Sequence, residues 1–402
     1  MSLQNKTFNE LITFTRATGG GRFNAAGQYE WLAADKPRFD FDPVTLEPRG
    51  ILIEEQRANL LLRSAEFDNT IWGKTNVSVV ANAATAPDGT MTADKLVPNK
   101  SVTTHPTSQS VSISGFVSFS VFLKSGEYSK IRLQIIGNGA DARADFDAAT
   151  GLASAVVTTS GFSSPIAARI DVVGGGWYRC SISGNIVATG IRNFIVYSQG
   201  SGDFLSAGDG TSGLYIWGAQ LEAGAFPTSY IPTTTAQVTR AADSCFVNNL
   251  SHWYRADEGA LFAEASIANY SSSSVIENVS ASLGSSASNR MITRAYSDGS
   301  GNLQWDCIGY VNGGVEFDTA QRTFNSPNST VRNGMTYKRN DIGNSVNGLA
   351  VSKDEVAEIP AVTNLHIGRS TGLPVAGAAH IRRIRYIPRR ISDTELRALT
   401  AL

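Results

Sequence analysis

Charge is scarce in this sequence. Asp, Glu, Lys and Arg make up 17% of 402 residues and leave a formal net charge of -1, against about a quarter charged in ordinary globular chains. Without a basic surplus there is no electrostatic footprint for a phosphate backbone, so nucleic acid is not an expected partner. No apolar run approaches the roughly 20 residues of a membrane helix, so no membrane insertion is expected. The opening stretch MSLQNKTFNELITF lacks the apolar centre of a signal peptide. Only three cysteines occur, Cys180, Cys245 and Cys307. They are too few for a disulfide framework and too scattered for a metal cluster, and they read as reduced thiols. The four histidines, His105, His252, His366 and His380, have no carboxylate or cysteine at ligand spacing, so no metal centre and no cofactor are expected. A nucleophile elbow, a P-loop and a dinucleotide fingerprint are all missing from suitable settings.

What is present is strand and turn chemistry. Hydrophobic content of 42% supports real cores, and 38 glycines punctuate the chain. Its length implies two or three domains. Between 59 and 226 short alternating runs recur. Ile131, Leu133 and Ile135 alternate with Arg132 and Gln134, and Phe119, Val121 and Leu123 alternate with Ser118 and Ser120. Eight to eleven strands of this kind predict a jelly-roll sandwich with one buried face per strand. Residues 227–244 hold Pro227, Pro232 and the run Thr233–Thr235, which cannot form a helix and read as an extended linker. From 245 to 402 alternation resumes, opening with GALFAEASIA, and Ser392-Asp393-Thr394-Glu395 is a capping box that starts one closing helix. The expected fold class is therefore all-β, with two tandem β-sandwiches that should fold separately. Residues 1–58 are too broken by Gly and Pro to close a core, although Phe14, Tyr29, Trp31, Ile51, Leu52 and Ile53 are apolar enough to be ordered. Such a segment must be covered by a neighbouring domain or by copies of itself, and is read as an attachment and oligomerisation segment.

Two phrases carry a resemblance. LYIWGAQLEAGAFPTSYIPTTTAQVTRAAD (214–243) and RFDFDPVTLEPRGILIEEQRANLLLRS (38–64) resemble structural proteins of tailed bacteriophages. In those proteins the first phrase closes a carbohydrate-binding-like jelly roll and leads into a concanavalin A-like, or laminin-G-like, sandwich. The phrase HIRRIRYIPRRISDTELRALT (380–400) resembles the closing strand and helix of the latter. The resemblance implies a virion protein of tail-fibre or head-fibre type, assembled in the host cytoplasm. It also implies anchoring to other virion proteins through residues 1–58, assembly as a homotrimer, and binding of host-surface glycan or lipopolysaccharide.

Glycan chemistry asks for aromatic faces with flanking polar groups. Candidates in the first sandwich are Trp72, Trp177, Tyr178, Tyr197, Tyr215 and Trp217, the last two alternating on one face. In the second they are Tyr296, Trp305 and Tyr310, with Arg294 beside them. For each, a core role competes with binding. Arg382, Arg383, Arg385, Arg389 and Arg390 could meet an anionic glycan or could balance charge on a strand flank. Retaining glucanases on concanavalin-like folds place three acids on one strand as E-x-D-x-x-E. Here Glu316 and Asp318 are followed by Gln321, which removes the proton donor and argues for binding without cleavage. Polysaccharide depolymerisation by a differently assembled site is the alternative. The jelly-roll resemblance also raises a structural calcium near Glu66 and Asp68, against which stands Gln220 where the last strand would supply an Asp.

Overall fold

The computed structural model describes residues 8–250, 253–269, 277–297, 303–319, 322–323, 329–372 and 377–402. It is almost entirely β, with two short helices, Phe8–Leu11 and Asp393–Thr400. None of its helices is long and apolar enough to cross a membrane.

The first sandwich is one 11-stranded sheet folded on itself. Two long strands, His105–Lys124 and Trp177–Ser198, belong to both of its layers. Their pairing slips between Ile113 and Gly115, and Gly115 takes a φ of 77°. A bulge of this kind bends a strand sharply enough to carry it from one layer to the other. The front layer joins Ala140–Asp147, Lys130–Gly137, the second half of the Trp177 strand and the first half of the His105 strand. The back layer joins Phe162–Gly174, the remaining halves, Leu214–Ala223, Ala93–Pro98 and Val77–Ala84. Phe119, Val121, Leu133, Ile135, Phe194 and Leu221 fill the space between. The sequence pattern suggested many short strands; two of its segments, Trp177–Ile182 and Asn193–Tyr197, fuse into one corner strand that runs past the bulge.

The second sandwich packs an eight-stranded sheet on a seven-stranded one around Leu261, Ala263, Met291, Trp305, Met335 and Ile367. Its closing helix carries the expected capping box: Ser392 Oγ accepts from the Glu395 backbone N–H and the Glu395 carboxylate accepts from that of Ser392. Leu396 anchors this helix against Ala260 and Ile391.

Residues before 59 do not form a separate attachment segment. Strand Pro48–Glu54 extends the seven-stranded sheet, pairing Ile51 with Ile381 and Ile53 with Ala379. Strand Thr13–Thr15 extends the other sheet, pairing Phe14 with Cys245. Phe14, Ile51 and Ile53 thereby enter the second core. The hairpin Gly20–Phe23 and Tyr29–Leu32 instead covers the back layer of the first sandwich, where Tyr29 joins Phe122, Trp177, Trp217 and Tyr230. The apolar residues of these strands and of the hairpin are thus mostly covered within their own chain, Phe39 being left 39% exposed, and self-association is not needed to bury the rest.

Residues 227–244 likewise are not a linker. Tyr230 and Ile231 are fully buried, Asn59 Nδ2 donates to the Ala219 and Ile231 carbonyls, and Val238–Arg240 pairs with Arg57–Asn59. Proline and threonine kept this stretch extended, as expected. Extension without a helix, however, also suits a strap wedged between two sheets.

Candidate functional site

The back layer of the first sandwich is covered, so its front layer is the face left to solvent. On Ala140–Asp147 the side chains alternate strictly: Ala140, Ala142, Ala144 and Phe146 point inward, and Asp141, Arg143, Asp145 and Asp147 outward. Cross-strand register sets Arg132 beside Asp145 and Tyr197, and Gln134 beside Arg143 and Ile195. The neighbouring strand adds Pro106, Ser108 and Ser110 opposite Tyr197, Ile195 and Asn193. A polar, charged and aromatic surface results, four strands wide, with Gln134 and Ile195 nearly closed off at its centre.

Its strongest feature is Arg132. The guanidinium forks onto Asp145 at 2.6 and 3.0 Å and lies over the Phe204 ring at 4.5 Å. Its hydrogen bonds to Asp145 raise its pKa. The planar cation is therefore held in one orientation with its remaining N–H groups along the face. Asp141 accepts from Gln134 at 2.6 Å and from Thr159 at 3.2 Å. The Tyr197 hydroxyl has no hydrogen-bond partner among the described residues; burial of the ring raises its pKa. At one end the face deepens into a cleft of about 630 Å³ lined by Arg132, Asp145, Asp147, Gln199, Asp203 and Phe204, among others. Leu152 and Leu205, 67% and 62% exposed, form apolar lips on it. Asp203 shapes the loop by accepting from the Leu205 N–H at 2.8 Å and from the Ser206 hydroxyl at 2.9 Å.

A second cleft, of about 390 Å³, lies between the sandwiches. Its charges are largely spoken for: Asp42 by Arg49, Asp171 by Arg169, Asp40 by His380 at 2.7 Å and Glu54 by Arg38 at 2.5 Å. Arg179 donates to Thr228 and Ser120. This cleft offers a ligand fewer free groups than the front face does.

The residues named from the sequence are mostly elsewhere. Trp72, Trp177, Trp217 and Trp305 are 1%, 3%, 3% and 2% exposed, so none presents a ring face to a sugar. Each of the first three also spends its indole N–H internally, on Arg63, Thr85 and Thr92. Trp217 and Tyr215 do share the outer side of their strand, but the hairpin carrying Tyr29 and the strap carrying Tyr230 cover it. Tyr178 packs against the first core, and Tyr310 lies beneath the Arg290 guanidinium at 4.0 Å. The side chain of Tyr296 lies outside the described residues, as do His252 and Gln321. Of the basic run, Arg389 pairs with Glu395, Arg390 with Asp341 and Asp393, and Arg382 caps the Pro48 carbonyl. Arg383 and Arg385 remain exposed. Glu316 accepts from the Glu358 backbone N–H at 2.9 Å.

The residues offered for calcium do not converge. Glu66 pairs with Arg63, and Gln220 accepts from the Ile231 N–H at 2.6 Å. The loop after Glu66 is instead gathered by Lys74, whose ammonium donates to the carbonyls of Phe67, Asp68, Asn69 and Trp72 at 3.1, 3.0, 2.7 and 3.1 Å. No group of three or more metal-ligating side chains occurs among the described residues.

No family model matches the sequence, and no curated protein matches it. Among solved structures it is similar to the receptor binding domain of botulinum neurotoxin C/D mosaic serotype, at 15% identity over 40% of this chain and 40% of that one, with a TM-score of 0.29. It is similar to the Ruminococcus gnavus IT-sialidase CBM40, at 13% identity over 37% of this chain and 84% of that one, TM-score 0.24. It is also similar to the Trypanosoma rangeli sialidase in complex with 2,3-difluorosialic acid, at 9% identity over 82% and 62%, TM-score 0.30. The chain spans about 40% of the length of the neurotoxin domains it matches. At these scores the likenesses carry no functional argument.

Proposed function

We propose that this chain is a tailed-bacteriophage virion protein, displayed as a tail fibre or receptor-binding protein, that binds host-surface glycans without cleaving them. The virion part rests on the phrases at 38–64, 214–243 and 380–400. The binding part rests on one observation, the uncovered front face on which Arg132, locked between Asp145 and Phe204, stands beside the free hydroxyl of Tyr197. Rigid planar donors, carboxylates and apolar lips are the groups that read sugar hydroxyls and pack on the C–H side of a ring. The incomplete acid pattern at Glu316 and Asp318 supports binding over hydrolysis.

The test is a glycan array probed with the full-length protein and with Arg132→Ala and Tyr197→Ala. Each substitution should weaken binding about tenfold, the equivalent of roughly 1.4 kcal/mol. Undiminished binding by both variants, or reducing ends released from a bound polysaccharide, overturns the reading. A capsid-anchored head fibre or decoration protein is the second reading, favoured by the buried ion pairs that tie the sandwiches together and would make a stiff spacer. Imaging particles labelled at the C-terminus separates tail from head.

A further inference from the structure

The joint between the sandwiches holds an unusual charge cluster. Arg16, Arg38 and Arg240 meet Glu54 and Asp243, and all five side chains are essentially without exposure. The two carboxylates are fully engaged. Asp243 accepts from Arg16 at 3.1 Å, from Arg38, and from the Glu54 backbone N–H at 2.8 Å. Glu54 accepts from Arg38 at 2.5 Å and from the Ser229 N–H and hydroxyl at 2.8 and 2.7 Å. Arg240 is left over. Its nearest carboxylate oxygen, on Glu54, is 3.5 Å away, and Nε, Nη1 and Nη2 have no hydrogen-bond partner among the described residues.

The surrounding charges do not cancel the surplus. The next pair outward is Arg179 with Glu222, and Glu222 is itself capped by the Thr228 N–H at 2.9 Å. With that pair and the neighbouring Arg57–Glu55 and Arg169–Asp171 pairs included, six guanidiniums, Arg16, Arg38, Arg57, Arg169, Arg179 and Arg240, face five carboxylates, Glu54, Glu55, Asp171, Glu222 and Asp243. A buried guanidinium whose N–H groups lack acceptors, and whose nearest carboxylate is shared with Arg38, is strongly destabilising. Water would supply acceptors but no charge. A large oxyanion has no way in, because Arg240 has no exposed surface.

We propose that Arg240 holds a small monovalent inorganic anion of the halide class, enclosed in the joint as the chain folds. The ion accepts from the Arg240 N–H groups and balances the cluster. It is a structural ion: it binds the folded chain and not the unfolded one, so it raises the melting temperature by mass action.

The experiment uses the full-length protein unfolded in denaturant and refolded into gluconate containing increasing chloride or bromide, at fixed ionic strength and pH. A saturating rise in Tm with both halides, lost in Arg240→Met, is the expected result. Equal melting in gluconate and chloride, or the same rise in the variant, overturns the site in favour of water alone. Should Arg240→Met fail to fold, crystals of the unmodified protein refolded and grown in bromide decide. An anomalous peak in hydrogen-bonding range of the Arg240 guanidinium supports the ion, and its absence there overturns it.

Discussion

Lys74 does at the scale of one side chain what a bound cation would do. Four carbonyls of the loop from Phe67 to Trp72 turn toward its ammonium, and burial lowers its pKa. Asp94 holds the same loop from the other side, accepting from the Phe67 and Asn82 N–H groups at 2.7 and 2.9 Å. Lys74→Met keeps the stem and removes the donor, so it should cost about 2 kcal/mol, the worth of hydrogen bonds to a charged group. Urea unfolding measures it, and an unchanged midpoint refutes the role. His366 makes a different prediction. Burial, helped by Arg369, pushes its pKa down to about 4, so the folded chain keeps it neutral where the unfolded chain, with a value near 6.5, is protonated. The unfolded state then binds more protons, and stability falls as pH drops from about 6.5 toward 4. His366→Gln should flatten that part of the stability curve, as read from Tm between pH 7 and 4.

At the scale of elements, the second sandwich depends on strands that precede the first. Pro48–Glu54 supplies a register partner for Ala378–Ile387 and places Ile53 against Gly368. A fragment starting at 245 would expose that strand edge and open the core beneath it. Such a fragment is expected to show no cooperative melt by far-UV circular dichroism, and a sharp transition would contradict the placement. In the full chain, Ile53→Ala should cost about 2–5 kcal/mol, as for other large-to-small core changes. The same weaving explains Trp217. Gly218, with a φ of 62°, breaks the pleat beside it and leaves no room for a Cβ against Phe122. The ring can then pack edge-to-face with Tyr29, centroids 6.0 Å apart, and tilted at 55° against Tyr230.

For the whole molecule, the strap and the charge cluster tie the sandwiches to each other, so the two are expected to unfold as one unit. Burial alone would raise the Glu54 carboxyl. Arg240 and Arg38 more than offset it and hold the group well below the usual carboxylate range. That contribution is present above the unfolded carboxylate value of about 4.3 and is lost as pH falls below it. Asp243→Asn leaves Arg16 and Arg38 short of a counter-charge and should cost about 3–5 kcal/mol. Calorimetry should give a single transition for the full chain, moved down by the substitution; two resolved transitions would show that the sandwiches melt apart.

Local chemistry in the sequence determined the strands, the turns, the closing capping box and the all-β class, because each depends on neighbours within a few residues. The alternation of Arg132 and Gln134 with buried Ile131, Leu133 and Ile135 already marked an outer face, and a like reading of Asp141, Arg143 and Asp145 would have marked the rest of it. Which outer face stays open was a tertiary decision. Trp217 and Tyr215 look like a binding platform until Tyr29, 201 residues before its hydrogen-bond partner Tyr230, folds over them. The segments at 13–54 and 227–243 read as attachment and linker because their apolar residues find no partner nearby. Burial is settled by whatever distant surface the chain brings to each strand, and pairing across such separations leaves no periodic trace in the residues themselves.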